Sequence, residues 1–328
     1  MNFDHILLLG YGAPERAEEV IPYLQSMSEG RGVPEERLKS IARHYEMIGG
    51  ASPYNFQVSE FSGRLEREFG AEGIGLPIFT GMKNWHPFLG DTLRGIYQKG
   101  LRRGMAIPLT PYRAASAGAG YKASLESIRS ALGMNDLCYH FSEGWSDQPL
   151  FIEAEAEEVS RELQTVAPAE RSEIPILFSF HALPVHHDPA NPMSRYAEEA
   201  RAASALVAKR LGHEKWTVVY QSRPGFQRSW HAREALTASL RTPVSVPETW
   251  LSPEISEAIQ SLAAKGEKRV LVVPLGFLCD HAEILYDLDH AAREAVEKSG
   301  MKYWRAKTVL HHPKIAALFR ALIEKASP

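Results

Sequence analysis

Cysteine is scarce in this chain, with two residues in 328, Cys138 and Cys279. That scarcity excludes a disulfide framework as the basis of the fold. It also excludes an iron–sulfur cluster, which usually takes four cysteines. Both thiols lie in or beside apolar runs and are expected to be buried and free. An excess of one charge is also lacking: 37 Lys and Arg against 40 Asp and Glu leave a net charge of −3. No global basic field invites nucleic acid. No apolar run approaches the ~20 residues of a membrane span. The run Ile6–Leu9 has no basic residues before it and is too short for a secretory signal, so it reads as a first buried strand. Low-complexity tracts and short-period repeats are absent. What remains is an ordinary soluble chain suited to a reducing cytoplasm, long enough for two domains.

Short apolar runs alternate with longer amphipathic segments. Strands are expected at Ile6–Leu9, Ile74–Phe79, Met105–Leu109 and Leu137–Phe141, then at Ile174–Phe180, Trp216–Tyr220, Val270–Leu275 and Trp304–Leu310. Helical patterns lie between them, among them Pro34–Ile48, Ser59–Phe69, Leu150–Thr165, Ser194–Leu211, Ile255–Ala264 and Ala282–Ser299. This alternation implies parallel sheets with right-handed crossovers. Four strands per half predict two α/β domains, residues 1–145 and 146–312. The last helix, within 313–328, is expected to pack back on the first. The polar segment 224–249 reads as interposed, either a lid or a surface excursion.

Two buried runs end on groups that can do chemistry. Ile174–Phe180 ends on His181 before a proline break, and the run from Val270 to Phe277 is followed by Asp280-His281-Ala282-Glu283. Ligands of parallel sheets sit past such carboxyl ends. Imidazole plus carboxylate binds divalent metals moderately, and no third histidine or cysteine at fixed spacing completes a structural zinc site. His181 and Glu283 therefore read as an open, weak metal site or as an acid–base pair. Asp287 shares a helical face with Glu283 and reads as a way in for cations or as a solvated face. Asp289 falls on another face. His281 is expected to point away from Glu283 and to be structural.

Other strand ends are also polar or aromatic. Gly10-Tyr11-Gly12-Ala13-Pro14 follows the first strand but lacks the third glycine of a dinucleotide fingerprint. Tyr11, held between glycines, faces a ligand or packs. Tyr45 precedes a Gly-Gly helix end, and Ser52 caps the next helix. Lys83, Asn84, Trp85 and His86 follow another strand, and Tyr121 closes the small-residue stretch Ala114–Gly120.

Taken together these residues resemble the ferrochelatase family, which inserts ferrous iron into porphyrins. F-S-F-H-A-L-P at 178–184 is similar to the family's S-x-H-x-L-P, and P-L-G-F-L-C-D-H-A-E-I-L at 274–285 to its P-x-G-F-x-x-D-H-x-E-x-L. Y-E-M-I-G-G-A-S-P, G-M-K-N-W-H-P-F and Y-Q-S-R match too, in family order over nearly the whole chain. The resemblance implies two Rossmann-like domains, the chelatase fold, with a porphyrin cleft between them. It implies His181 and Glu283 as the metal-site and catalytic pair. It also implies porphyrin contacts at Tyr11, Tyr45, Ser52 and Tyr121, with Lys83, Asn84 and His44 at further substrate positions. Two arginines of the coproporphyrin III type fall on Ser28 and His44, and Arg31 is expected to substitute for the first. The G-Y-G-A-P loop is like the coproporphyrin type, whereas W-H-P-F is like protoporphyrin IX forms. The expected activity is iron insertion into coproporphyrin III in heme biosynthesis. The alternatives are a protoporphyrin IX enzyme, a cobalt or nickel chelatase, or a non-catalytic tetrapyrrole binder. Ferrous iron is substrate. No tightly bound cofactor and no iron–sulfur cluster are expected. The chain is expected to be a cytoplasmic monomer that makes transient contacts with heme-pathway enzymes, and 224–249 to be an insertion relative to the family.

Overall fold

The computed structural model describes residues 3–28, 33–113, 118–183, 185, 195–223 and 250–326. The expectations for Arg31 and for 224–249 lie outside these residues. The first half runs β1 (His5–Gly10), α1 (Ala17–Ser28), α2 (Glu35–Met47), α3 (Tyr54–Ala71), β2 (Ile78–Met82), α4 (Leu89–Gln98), β3 (Arg103–Pro108), α5 (Gly118–Ala131) and β4 (Cys138–Phe141). The second runs α6 (Pro149–Leu163), β5 (Ile176–His181), α7 (Tyr196–Leu211), β6 (Trp216–Gln221), α8 (Ile255–Ala264) and β7 (Arg269–Val273). A π-helix (Ile284–Ala292) then continues into α9 (Arg293–Lys298), followed by β8 (Lys302–Arg305) and α10 (Pro313–Ala326).

Two parallel four-stranded sheets result, ordered β2-β1-β3-β4 and β6-β5-β7-β8, the same topology twice. The central strands are buried on both faces, which is why β1 and β7 read as unbroken apolar runs. In each sheet the chain leaves the first strand on one side and returns on the other. That reversal opens a crevice at the carboxyl ends of β1 and β3, and another at those of β5 and β7. One apolar core joins the halves: Phe61 of α3 and Trp145 both pack edge-on against Phe319 of α10, at 5.4 and 5.6 Å between centroids. α10 thus packs on α6 of the second half as well as on α3 of the first. Among the described residues no helix is long and apolar enough to cross a membrane.

Three expectations need correction. Cys138 is exposed, because β4 is an edge strand with only one face covered. The second strand begins at Ile78, after Pro77, rather than at Ile74. The last strand is Lys302–Arg305, whereas Ala306, Val309 and Leu310 are buried as irregular chain. Leu310 donates its N–H to the Leu278 carbonyl at 2.7 Å, so that apolar run is covered by a loop and not by a strand ladder.

Candidate active site

Both crevices open on one cleft. Its floor and walls come from Tyr11 after β1, Tyr112 after β3, His181 at the end of β5, and Gly276 to Glu283 after β7. The cleft has an empty volume of about 1110 Å³, open solvent at its mouth included. Tyr11, Tyr45, Ser52 and Tyr121 all line it, as do Tyr23, Tyr54, Tyr112 and Tyr196. A second cavity of about 1180 Å³ lies between α1, α2 and the π-helix, and shares Tyr11, Tyr23, Tyr45, His181 and Glu283 with the first. The pair has room for a large flat ligand, and the aromatic walls suit one.

The β5 and β7 ends are brought together by a close approach at Gly276. A Cβ there would lie 2.9 Å from the Phe180 Cα, and the Gly276 N–H donates to the Ser179 carbonyl at 3.0 Å. Gln221, fully buried at the end of β6, ties both strand ends. The Ser179 hydroxyl donates to Gln221 Oε1 at 2.7 Å, which turns Gln221 Nε2 toward the Glu283 carbonyl at 3.2 Å. The result places His181 Nε2 3.7 Å from Glu283 Oε1. His181 Nδ1 lies 2.7 Å from the Ala182 carbonyl. A carbonyl only accepts, so Nδ1 carries the hydrogen and Nε2 is the lone-pair nitrogen of the neutral ring. Two acceptors then face each other, an arrangement completed by a proton or a cation between them. Both side chains are open to solvent, at 36% and 44%. Among the described residues no three His, Cys, Asp or Glu side chains converge as a metal cage.

The π-helix carries the rest of the acidic side. Its i→i+5 bonding widens the turn, so residues four apart stay closer to in line than on an α-helix, and such segments mark functional sites. Asp287 therefore follows Glu283 on the cavity face. Asp287 is buried, not part of a solvated face, and the Ser222 hydroxyl donates to it. Burial pushes its carboxyl up to about 7, against the lowering effect of that hydrogen bond. Ser222 holds φ at 61°, the left-handed region that a serine adopts only under constraint. Asp289 is taken up elsewhere. Arg305 grips it through two hydrogen bonds, at 2.8 and 2.7 Å, and reaches Asp280 at 3.1 Å. That clamp fixes the segment on both sides of Glu283. His281 departs from expectation. Chain at 281 is not yet helical, so its ring turns into the cleft and Nδ1 accepts the Glu283 N–H at 3.2 Å. Burial lowers its imidazole below the usual range.

The tyrosine side is held by the first sheet. Tyr11 donates its N–H to the Tyr54 hydroxyl at 3.0 Å, and Gly12 takes φ +82°, which a side chain would strain. Lys83 and Asn84 line neither cavity. Their backbone N–H groups instead bond the Gly10 and Tyr11 carbonyls, both at 2.9 Å, and brace the tyrosine loop from behind. His44 lines the second cavity, its ring stacked on Tyr286 at 3.7 Å and 7°. Sequence reasoning missed Tyr23, Tyr54 and Tyr196, which lie on helices rather than at strand ends. It also missed Arg37, which faces the second cavity. The 37, 41, 44 spacing along α2 was the available signal.

A sequence profile of the ferrochelatase family matches residues 4–234 and 244–327. The stretch it leaves out, 235–243, lies inside the 224–249 excursion. The chain is 32% identical to the coproporphyrin III ferrochelatase of Mycolicibacterium smegmatis, over 99% of this chain and 90% of that protein. It is also 32% identical to that of Nocardia farcinica, over 99% and 88%. Among solved structures, SirB from Bacillus subtilis with Fe3+ superposes with a TM-score of 0.52 at 12% identity, covering 98% of this chain and 94% of that one. At that identity the likeness speaks to the fold alone, and the fold is the two-sheet chelatase architecture. The chain belongs to the ferrochelatase family.

Proposed function

We infer that this enzyme inserts ferrous iron into coproporphyrin III in heme biosynthesis. The observation that carries the reading is full-length similarity to coproporphyrin III ferrochelatases, joined to a cleft in which an imidazole lone pair faces a carboxylate at 3.7 Å. Iron and porphyrin are both substrates. Two pyrrole protons must leave the macrocycle as the metal enters. His181 Nε2 and Glu283 are the acceptors placed for them, and the same two atoms hold the incoming ion before transfer. The site is open and has few ligands, so an ion bound there is readily passed on. Tyr11 faces the other side of the macrocycle. Binding energy from the tyrosine walls supports bending of the ring, which exposes its nitrogen lone pairs.

The test is anaerobic ferrous iron with coproporphyrin III and protoporphyrin IX in parallel, following loss of the free-base spectrum. Faster metallation of coproporphyrin III is expected, and preference for protoporphyrin IX would overturn the choice of substrate. Asp287 adds a pH signature. Its carboxyl, raised to about 7 by burial, is neutral below that pH and charged above it. The KM for ferrous iron should therefore fall several-fold from pH 6 to pH 8, and Asp287→Asn should flatten the profile. A variant that keeps the wild-type profile would remove Asp287 from the cation's path.

A further inference from the structure

We propose that Arg37, with His44 beside it, is the anchor for a carboxylate substituent of the porphyrin. The proposal rests on the function inferred above and deepens it. The second cavity is electrically two-sided. Glu283 and Asp287 occupy the π-helix wall, and α2 forms the facing wall with Arg37, Ile41 and His44. These three fall at intervals of four and three, hence on one face of α2. Arg37 is the one arginine or lysine among the described residues that line either cavity. A guanidinium offers paired N–H donors that match a carboxylate and keeps its charge at any working pH. The stacking of His44 on Tyr286 fixes the plane of the imidazole, and with it the direction of its ring N–H.

Tyr23, Ser28 and Tyr45 on that side are uncharged hydroxyl groups and offer a carboxylate no ion pair. The Ser28 hydroxyl donates to the Leu24 carbonyl at 2.6 Å, so its hydrogen is already used. Carboxylates placed against Glu283 and Asp287 would be repelled. A flat ligand bearing carboxylates on its rim is thus turned one way only, with an acidic substituent toward α2 and its nitrogen-rich centre toward His181 and Glu283. Arg37 sets orientation and affinity in this arrangement, and the metal chemistry stays with the other wall.

Binding of iron-free porphyrin tests this without turnover. Coproporphyrin III and its tetramethyl ester are titrated into wild type, Arg37→Gln and Arg37→Lys, following porphyrin absorbance in one detergent buffer. Arg37 is partly exposed on a surface helix, so the variants are expected to fold. Arg37→Gln should weaken coproporphyrin III about tenfold, the scale of one charge-assisted pair open to solvent on one side, and leave the ester unchanged. Arg37→Lys should recover part of the loss, because it restores charge without the paired donors. Equal weakening of acid and ester, or no weakening of either, would overturn the assignment. A wild type that binds neither porphyrin would overturn the underlying function instead, and that result does not depend on any variant.

Discussion

His181→Ala should lower iron insertion by about three orders of magnitude while porphyrin still binds. The size follows from what the ring supplies. A positioned proton acceptor contributes roughly 10²–10⁴-fold to a rate, and here the same nitrogen also faces the ion. Porphyrin affinity should hold, because seven tyrosines line the cleft and the His181 ring is one contact among many. Glu283→Gln should fall nearly as far, and the double variant little further, since groups that act as a unit are not additive. Anaerobic metallation and iron-free porphyrin titration separate the two effects. Near-normal turnover in His181→Ala would sink the assignment. So would a loss of activity that porphyrin binding tracks in full.

That His181 and Glu283 lie past the carboxyl ends of buried strands was legible from the apolar runs before them, and that they meet was implied by the family resemblance. A parallel sheet leaves little choice about where such ends go: polar groups collect at the carboxyl edge. Strand order is not written in either run. It follows from the identical reversals at β1–β3 and β5–β7, which set two crevices against each other. The edges were less legible. Leu137–Phe141 and Trp304–Leu310 mix polar with apolar residues, and one leaves Cys138 in solvent while the other leaves the ladder after Arg305.

The π-helix was the larger gap. Its residues carry an ordinary amphipathic pattern, and nothing local marks the extra residue in each turn. Its geometry coincides with tertiary partners on distant elements: Arg305 on Asp289, Ser222 on Asp287, and Gln221 on the Glu283 carbonyl. Asp287, read as a way in for cations or as a solvated face, and His281, read as structural, therefore belong with Gln221 and Ser222 to one assembly around Glu283. Arg37 was hidden for the opposite reason. It lies among the charged residues Glu35, Glu36 and Lys39, and only the cavity behind α2 distinguishes it from them.

The largest effect on stability is expected from Glu155, far from any role in metal handling. It sits on α6 at 1% exposure, and one of its carboxyl oxygens has no hydrogen-bond partner. Burial raises its pKa well above the usual carboxylate range, and the neighbouring Glu158 adds to the shift. In the unfolded chain the same carboxyl titrates near its ordinary 4.5. Above that pH the folded state binds more protons than the unfolded state does, so stability falls as pH rises toward the folded value. Below it both states are protonated and the penalty vanishes. Glu155→Leu removes the buried polar group at similar volume. It should stabilise the protein by about 1–3 kcal/mol at pH 8, the cost of one unsatisfied buried group. The advantage should shrink at pH 5, close to the unfolded value of 4.5, where ionisation of the unfolded chain costs the folded state far less. Urea unfolding at the two pH values measures it. A gap between wild type and variant that is the same at pH 5 and pH 8 would mean that packing, and not ionisation, sets the cost of Glu155.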